Sequence, residues 1–296
     1  MSIHKPVLLN ELRVLLNLKP GDQAIDGTLD GGGHAEMMLE LVVGAGPAAR
    51  GKVLGIDRDK EILKSLITSE NLIVVEGNFA NIAKIAETYG FRNVNAVLLD
   101  LGMSTWHLRH SGRGFSFQNR DEPLVMNFDE KSEITAAYAV NSLKESELRR
   151  IFKEYGEERN AGRVAKKLIE ERKTKKIISV GDFLDAITIK DKKALARIFQ
   201  GLRIYVNDEL ENLKMGLTGS FEVLGNKGRL AIISYHSLED RIVKNFYSAK
   251  GGCAGGGSEK AREARIITKK PIAPSREEIL LNPSARSAKL RVLEKI

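Results

Sequence analysis

The stretch Ala24–His34, with the sequence AIDGTLDGGGH, decides the fold of this chain. A short apolar run ends at Asp26, a glycine-rich turn follows, and the helix-like segment AEMMLELVV comes next. This order is typical of a first strand, a ligand-binding turn and a first helix in an α/β domain. Glycine allows such a turn to adopt positive φ angles and to approach a ligand closely. An ordinary strand-to-helix turn remains the alternative, because three consecutive glycines are a weak signal by themselves.

The alternation of strand and helix continues along the chain. The apolar runs KVLGID, NLIVVE and NAVLLDL predict strands at Lys52–Asp57, Asn71–Glu76 and Asn95–Leu101, separated by helix-like segments. A long helix is predicted over Gly201–Leu224, and a fifth strand over Arg229–Ser234. This pattern predicts an α/β fold with a parallel sheet and helices on both of its faces.

The alternation stops between Trp106 and about Gln200, where polar loops and helical periodicity replace it. We therefore predict two domains. Residues 1–105 and 201–296 form the α/β domain, and residues 106–200 form an inserted, mainly helical domain.

The composition is that of an ordinary globular protein with a basic surplus. Lysine and arginine number 47 against 39 aspartate and glutamate residues, which gives a net charge of +8. Such a surplus favours a polyanionic partner, with nucleic acid the first candidate, while solubility alone is the other explanation.

Several kinds of protein are disfavoured by the same sequence. A single cysteine, Cys253, rules out a disulfide within the chain and suits a reducing compartment. Five scattered histidines and one cysteine leave no zinc-ligand spacing, so no metal is expected. No apolar run approaches the length of a membrane span, and a signal-peptide core is missing. We expect a cytoplasmic protein without membrane association, and the sequence predicts no oligomeric state.

Acidic residues follow three of the predicted strands. In open α/β sheets, ligands bind at the carboxyl ends of the strands, where Asp26, Asp57 and Asp100 are expected. Asp57 is our candidate for the ribose hydroxyls of a ligand, with a helix N-cap as its alternative role. Asp26 is expected either to fix the turn or to contact an amino group of the ligand.

The charges around the turn restrict the ligand. The GxGxxG spacing of nicotinamide-dependent enzymes is absent from DGTLDGGGH, and two carboxylates there would repel a pyrophosphate. They would attract a ligand with cationic groups, such as S-adenosylmethionine, whose sulfonium and ammonium are both positive.

Sequence blocks throughout the chain resemble the bacterial 16S rRNA (cytosine-N4)-methyltransferase family. The blocks are HKPVLLNE, DGTLDGGGH, GIDRD, LLDLGMS, GRGFSF, YGEER, FQGLRIYVNDELENL, ISYHSLEDRIVK and NPSARSAKLRVLE. The resemblance implies a class I, Rossmann-like methyltransferase fold that uses S-adenosylmethionine and has an inserted helical domain. The implied reaction is methylation of the N4 amine of a cytidine in the decoding region of 16S rRNA. The implied partner is that rRNA or the small ribosomal subunit, which the helical domain is expected to recognise.

The resemblance also implies a set of cofactor contacts. We add Asp26 to these contacts because it lies at the end of the first predicted strand. The residues that match the family are Gly32, Gly33, His34, Asp57, Phe79 and Asp100, and His107 stands where the family usually has glutamine.

Three further positions depart from the family pattern. Asp30 replaces a glycine in the turn, although aspartate tolerates left-handed backbone geometry better than most residues. Val125 and Asn127 replace an acidic and a basic residue in the loop EPLVMNFD.

The implied chemistry requires a group that holds and removes a proton. The exocyclic amine of cytosine is a poor nucleophile, because its lone pair is conjugated with the ring. Asp100 is our candidate acceptor, and positioning is expected to supply much of the acceleration. Ser104 and the pair Tyr235–His236 are weaker candidates, and His236 has an equal alternative as a structural histidine bonded to the backbone.

Aromatic and basic residues are candidates for contacts with RNA. Phe115 and Phe117 are positioned in sequence to stack an unpaired base, although packing in the protein core is the commoner use of such residues. The candidate phosphate contacts are Arg109, Arg113, Arg286, Lys289 and Arg291.

Two other functions remain open at this point. The departures at Asp30 and His107 leave room for a catalytically silent RNA-binding or ribosome-assembly factor that retains the fold. The other is an amino-methyltransferase acting on another nucleic acid. Such enzymes often carry a proline-aromatic motif after the fourth strand, and LGMSTW is not that motif.

Overall fold

The structure is a computed structural model that describes residues 5–44, 46, 50–64, 68–129, 132–252 and 262–296. Cys253 lies outside the described residues. The chain divides into two compact units. We call Met1–Gly102 together with Leu210–Ile296 the sheet unit, and Met103–Glu209 the helical unit.

The elements alternate in the first part of the chain and are helical in the middle. The strands are β1 (Gln23–Asp26), β2 (Lys52–Asp57), β3 (Leu72–Glu76), β4 (Val94–Asp100), β5 (Leu224–Ser234), β6 (Ala264–Ile266) and β7 (Lys289–Lys295). The helices are α1 (Leu9–Leu15), α2 (Gly33–Val42), α3 (Lys60–Leu63), α4 (Ile82–Thr88), α5 (Thr105–Arg109), α6 (Ala136–Ser142), α7 (Glu145–Arg150), α8 (Ala161–Glu171), α9 (Val180–Ile187), α10 (Lys192–Asn207), α11 (Glu209–Val223), α12 (Ser237–Lys250) and α13 (Arg276–Leu281).

The described strands form one seven-stranded sheet in the order β3-β2-β1-β4-β5-β7-β6. Strands β1 to β5 pair in parallel, whereas β7 runs antiparallel between β5 and β6. The predicted Rossmann-like α/β fold is confirmed, although the sheet is mixed rather than purely parallel.

Both faces of the central strands are buried. Ala24 and Leu98 belong to the core that includes residues of α1 and α2, and Ile25 and Leu99 belong to the core with residues of α4, α11 and α12. This division follows from the period of two in a strand, which turns successive side chains to opposite faces. Burial of each leucine or isoleucine side chain stabilises the folded state by about 1.5–3 kcal/mol. The two cores together therefore hold the strands in place.

The helical unit has an apolar core of its own, to which α6, α8, α9 and α10 contribute. A π-helical turn at Ile151–Tyr155 follows α7 and packs against α10. Gly156 and Gly201 permit this close packing, since a Cβ on Gly201 would lie 3.0 Å from the backbone nitrogen of Gly156. The glycines of the YGEER and FQGLR blocks therefore have a packing role.

The prediction of one helix over Gly201–Leu224 is wrong. Helix α10 ends at Asn207, Asp208 adopts a left-handed φ of 49°, and α11 begins at Glu209. Periodicity did not reveal this break, because aspartate is ordinary within a helical pattern and yet tolerates the left-handed region. Leu202 of α10 is buried in the core of the helical unit, which therefore extends past the predicted end of the insertion at residue 200.

Within the described ranges, no helix combines the length and apolar character needed to cross a membrane.

Candidate active site

Three carboxylates end neighbouring strands at one edge of the sheet. Asp26 ends β1, Asp57 ends β2 and Asp100 ends β4. Strands β1 and β4 are neighbours, and the strand order reverses between them. Ligands of open α/β sheets bind at this kind of reversal, outside the carboxyl ends of the strands.

The glycine turn after β1 adopts left-handed backbone geometry at two positions. Gly32 has a φ of 80° and Asp30 has a φ of 44°. The turn therefore accepts aspartate where the related family usually has glycine, as expected for a residue that tolerates this region. Helix α2 begins at Gly33, and its first N–H groups carry the positive end of the helix dipole.

Asp57 holds the glycine turn against the end of β2. Its Oδ2 accepts a hydrogen bond from the backbone N–H of Asp30 at 2.8 Å, and its Oδ1 accepts one from Asp59 at 2.9 Å. The N-cap of α3 is Asp59, whose side chain accepts the N–H of Glu61. The alternative role of Asp57 as the cap of this helix is therefore not observed.

Asp26 is a buried carboxylate with an unsatisfied oxygen. Its side chain is fully buried, its Oδ1 accepts the N–H of Thr28 at 3.2 Å, and its Oδ2 has no hydrogen-bond partner among the described residues. Burial raises the pKa of Asp26 to about 6, and the negative charges of Asp100 and Asp57 act in the same direction, against the lowering by His34. A buried carboxylate oxygen without a donor is costly, and a cationic group of a ligand would satisfy it.

Asp100 lies between a histidine and a tyrosine. The hydroxyl of Tyr235 donates to Asp100 Oδ1 at 2.8 Å, and His34 Nδ1 lies 3.6 Å from Asp100 Oδ2. His34 Nε2 is 2.9 Å from the carbonyl oxygen of Val7. Since a carbonyl oxygen only accepts, Nε2 is the protonated nitrogen in this arrangement. The hydroxyl of Tyr235 thus fixes one oxygen of Asp100, and His34 lies beside the other oxygen.

Phe79 packs against two glycines of the sheet unit. A Cβ on Gly216 would lie 2.4 Å from Phe79 Cδ2, and one on Gly27 would lie 3.4 Å from Phe79 Cβ. Only glycine at position 216 leaves room for the phenyl ring in this place. The ring is partly buried, close to the turn that follows β1.

Ser104 and His107 belong to the helical unit. Ser104 is the N-cap of α5, and its hydroxyl accepts the N–H of Trp106 at 3.0 Å. His107 is 6% exposed, and its ring makes edge contacts with Phe128 at 4.9 Å and Phe115 at 5.4 Å between ring centroids. Their predicted catalytic and cofactor roles stay predictions, and both side chains have structural contacts.

Three of the candidate RNA contacts pack inside the helical unit. Phe115 is 5% exposed and stacks on Phe128, so core packing is its observed role rather than an open face for a base. The guanidinium of Arg113 is buried and donates to the carbonyl oxygen of Phe128 at 3.2 Å, which argues against a phosphate contact. Phe117 is partly buried and makes an edge contact with Phe199. Arg109, in contrast, is exposed.

The basic residues near the C-terminus also differ in their exposure. Arg291 is buried, and its Nε donates to Asp240 Oδ1 at 2.7 Å. Lys289 is partly exposed and lies 3.4 Å from Asp240 Oδ2. The carboxylate of Asp240 therefore takes up the charge of Arg291, which argues against a phosphate contact there. Arg286 is exposed.

His236 caps the helix that follows β5. It is the N-cap of α12, its Nδ1 accepts the N–H of Glu239 at 3.4 Å, and its Nε2 lies 2.9 Å from Glu239 Oε1 without good hydrogen-bond direction. This geometry favours a structural role for His236, bonded to the backbone, over a catalytic role.

The loop positions that depart from the family pattern lie inside the helical unit. Asn127 is buried and donates to the carbonyl oxygen of Ser132 at 3.1 Å, and the N–H of Val125 donates to the carbonyl of Arg113.

Two contacts of Asp100 were not assigned from the sequence. They are the bond from Tyr235 to Asp100 and the bond from the N–H of Asp100 to Thr28 Oγ1 at 2.6 Å. The position of Tyr235 directly after a strand was a signal for the first. No local pattern marks the second.

The chain matches known proteins over its whole length. The MraW methylase family matches residues 1–296. A protein named ribosomal RNA small subunit methyltransferase H from Dictyoglomus thermophilum is 43% identical, over 99% of this chain and 97% of its own. Proteins with the same name from Carboxydothermus hydrogenoformans and Chlorobium limicola are 41% and 40% identical, each covered to 98%.

The resemblance and the S-adenosylmethionine-dependent methyltransferase activity predicted from the sequence are confirmed by these matches. The chain therefore belongs to the MraW methylase family.

Proposed function

We propose that this protein transfers a methyl group from S-adenosylmethionine to N4 of a cytidine in the decoding region of 16S rRNA. The relatives named above are rRNA methyltransferases, and the chain covers nearly their whole length. The observation that carries the proposal is the buried Oδ2 of Asp26, which has no donor among the residues that the structure describes, at the edge of the sheet where Asp57 and Asp100 also end their strands.

The residues at this edge fit the cofactor. S-adenosylmethionine supplies a methyl group on a positively charged sulfur, and its amino acid end carries an ammonium. Asp26 binds the ammonium, since a buried carboxylate oxygen needs a cationic donor. Asp57 binds the ribose hydroxyls, as its carboxylate ends β2 beside the turn whose Asp30 N–H it accepts.

The remaining contacts complete the pocket. Gly33 and His34 present the first N–H groups of α2 to polar atoms of the cofactor, and Gly32, with its left-handed φ of 80°, lets the turn approach it closely. Phe79 offers the face of its ring to the adenine. His107 of the helical unit is a cofactor contact that the family resemblance alone implies, at the position where the family usually has glutamine.

Asp100 handles the proton of the acceptor amine. Its carboxylate accepts a hydrogen bond from one N–H of the amine, which turns the nitrogen lone pair toward the methyl group. As the new N–C bond forms, the bond between the methyl carbon and sulfur would break, and S-adenosylhomocysteine would leave with its electron pair. The nitrogen then carries a surplus proton and a positive charge, and the carboxylate takes that proton. The hydrogen bond from Tyr235 holds the carboxylate in place for this step.

Charge and exposure support an RNA partner. The protein has a net charge of +8, and Arg109 and Arg286 are exposed cations suited to phosphate contacts. The partner in this proposal is 16S rRNA, free or within the small ribosomal subunit, and the reaction takes place in the cytoplasm. The helical unit recognises this RNA.

The decisive experiment is methyl transfer. The protein is incubated with S-adenosylmethionine and small ribosomal subunits from cells that lack the modification, and the rRNA is digested for nucleoside mass spectrometry. We expect a new N4-methylcytidine peak with subunits or 16S rRNA and none with DNA. Cofactor binding without any methylated product would support the catalytically silent factor instead. Product on DNA alone would support the amino-methyltransferase for another nucleic acid.

A further inference from the structure

Tyr235 links the end of β5 to the end of β4. It directly follows Ser234, the last residue of β5, and its hydroxyl donates to Asp100 Oδ1 at 2.8 Å. We propose that Tyr235 is a positioning residue, which orients the Asp100 carboxylate and keeps it ionised for the acceptor amine. This inference rests on the proposed function, because it concerns the group that takes the proton.

The backbone and the ring of Tyr235 are both held in place. The N–H of Tyr235 donates to Glu239 Oε2 at 2.8 Å, which ties it to the first turn of α12. Its ring packs over Gly102, where φ is 109° and a Cβ would lie 3.2 Å from Tyr235 Cδ2. A side chain at position 102 would therefore push the ring away. The hydroxyl reaches Asp100 from a fixed direction.

Residues of the turn and of α2 lie on the other side of Asp100. The backbone N–H of Asp100 donates to Thr28 Oγ1, and His34 Nδ1 lies 3.6 Å from Asp100 Oδ2. The hydrogen bond from Tyr235 holds Asp100 Oδ1 at the phenol, so that Oδ2 lies on the side of His34. The hydroxyl of Tyr235 therefore sets the orientation of the Asp100 carboxylate.

The phenol keeps its proton in this environment. Burial and the negative charge of Asp100 raise the pKa of Tyr235 well above its usual value, and Glu239 and Asp30 add to the effect. Tyr235 is thus a permanent donor at neutral pH. A hydrogen bond donated to the charged form of a carboxylate favours that form. Among the described residues, Asp26, His34 and Tyr235 are titratable groups that interact with this carboxylate.

The test replaces Tyr235 by phenylalanine, which keeps the ring over Gly102 and removes only the hydroxyl. The titration midpoint of the Asp100 carboxyl carbon is followed by ¹³C NMR in the full-length protein, with the signal assigned through Asp100→Asn. We expect the midpoint to move to higher pH by about one unit in Tyr235→Phe. We expect kcat to fall about tenfold while KM for rRNA stays unchanged. The acid limb of the pH profile of kcat should also move to higher pH.

Tyr247→Phe is the matched control. Tyr247 is also buried, but its hydroxyl donates to the backbone carbonyl of Leu230 at 2.9 Å and has no part in the site. This variant should lose stability without moving the Asp100 titration. An unchanged midpoint in Tyr235→Phe overturns the inference, whether or not turnover has fallen. Absence of rRNA methylation by the wild-type protein would instead remove the proposed function, and the NMR titration separates the two failures.

Discussion

Asp57 Oδ2 accepts a hydrogen bond from the backbone N–H of Asp30 at 2.8 Å, and this contact ties the end of β2 to the left-handed turn after β1. The carboxylate that is proposed to bind the ribose also shapes the turn that presents α2. Loss of one side chain should therefore affect two parts of the cofactor site.

Asp57→Ala should weaken the binding of S-adenosylmethionine by about tenfold or more, because hydrogen bonds to a charged group are worth about 1.5–3 kcal/mol. Isothermal titration calorimetry measures the loss. Asp59→Ala is the control, since Asp59 caps α3 and the turn bond from Asp57 to Asp30 does not involve its side chain. Equal affinities of Asp57→Ala and the wild-type protein would remove the assigned role.

Asp26 should make the stability of the protein without its cofactor depend on pH. Its folded-state pKa of about 6 lies above the ordinary 3.8, so the folded state holds this proton more tightly than the unfolded state. The free energy of unfolding should therefore decrease as pH rises through this window, by ~3 kcal/mol at most.

Asp26→Asn removes this titration. Relative to the wild-type protein, its stability should be higher at about pH 8 than at about pH 4, while its affinity for S-adenosylmethionine falls. Urea unfolding at both pH values, with calorimetry of cofactor binding, measures the two effects. A stability difference between the two proteins that does not change with pH would contradict the burial argument.

Asp100→Asn should lower turnover more than RNA affinity, because the amide cannot take the proton from the acceptor amine. A loss of about 100-fold or more in kcat is expected for removal of a general base. Single-turnover methylation and filter binding of 16S rRNA give the two quantities. Full turnover in this variant would show that another group accepts the proton.

Exposed and buried arginines should behave differently toward RNA. Arg286→Ala should weaken rRNA binding and reduce the slope of its salt dependence by about one. Arg291→Ala should mainly lower the melting temperature, because its removal leaves Asp240 without its closest cation. Binding measured over a range of salt concentrations, together with thermal unfolding, distinguishes them. Identical salt slopes for Arg286→Ala and the wild-type protein would exclude Arg286 as a phosphate contact.

Much of the sheet unit could be predicted from local patterns. Apolar runs that end in Asp26, Asp57 and Asp100 predicted β1, β2 and β4, because strand burial and a polar residue at the strand end are both visible in sequence. The left-handed conformation of Asp30 was also expected from its residue type.

The roles of single polar and aromatic side chains were less predictable. Arg113, Phe115 and Arg291 have the residue types of RNA contacts, and each is buried in the structure. Residue type shows what a side chain is able to bind. It does not show whether a carbonyl or carboxylate from a distant part of the chain already binds it.

The sequence by itself determined the alternation of strands and helices, the placement of carboxylates at strand ends and the family of the protein. These features depend on residue order and short-range periodicity. The tertiary structure alone decided that Tyr235 binds Asp100, that Asp57 holds Asp30 and that Asp240 takes up Arg291. The partners in these pairs are up to 135 residues apart, and only the packing of the sheet brings them together.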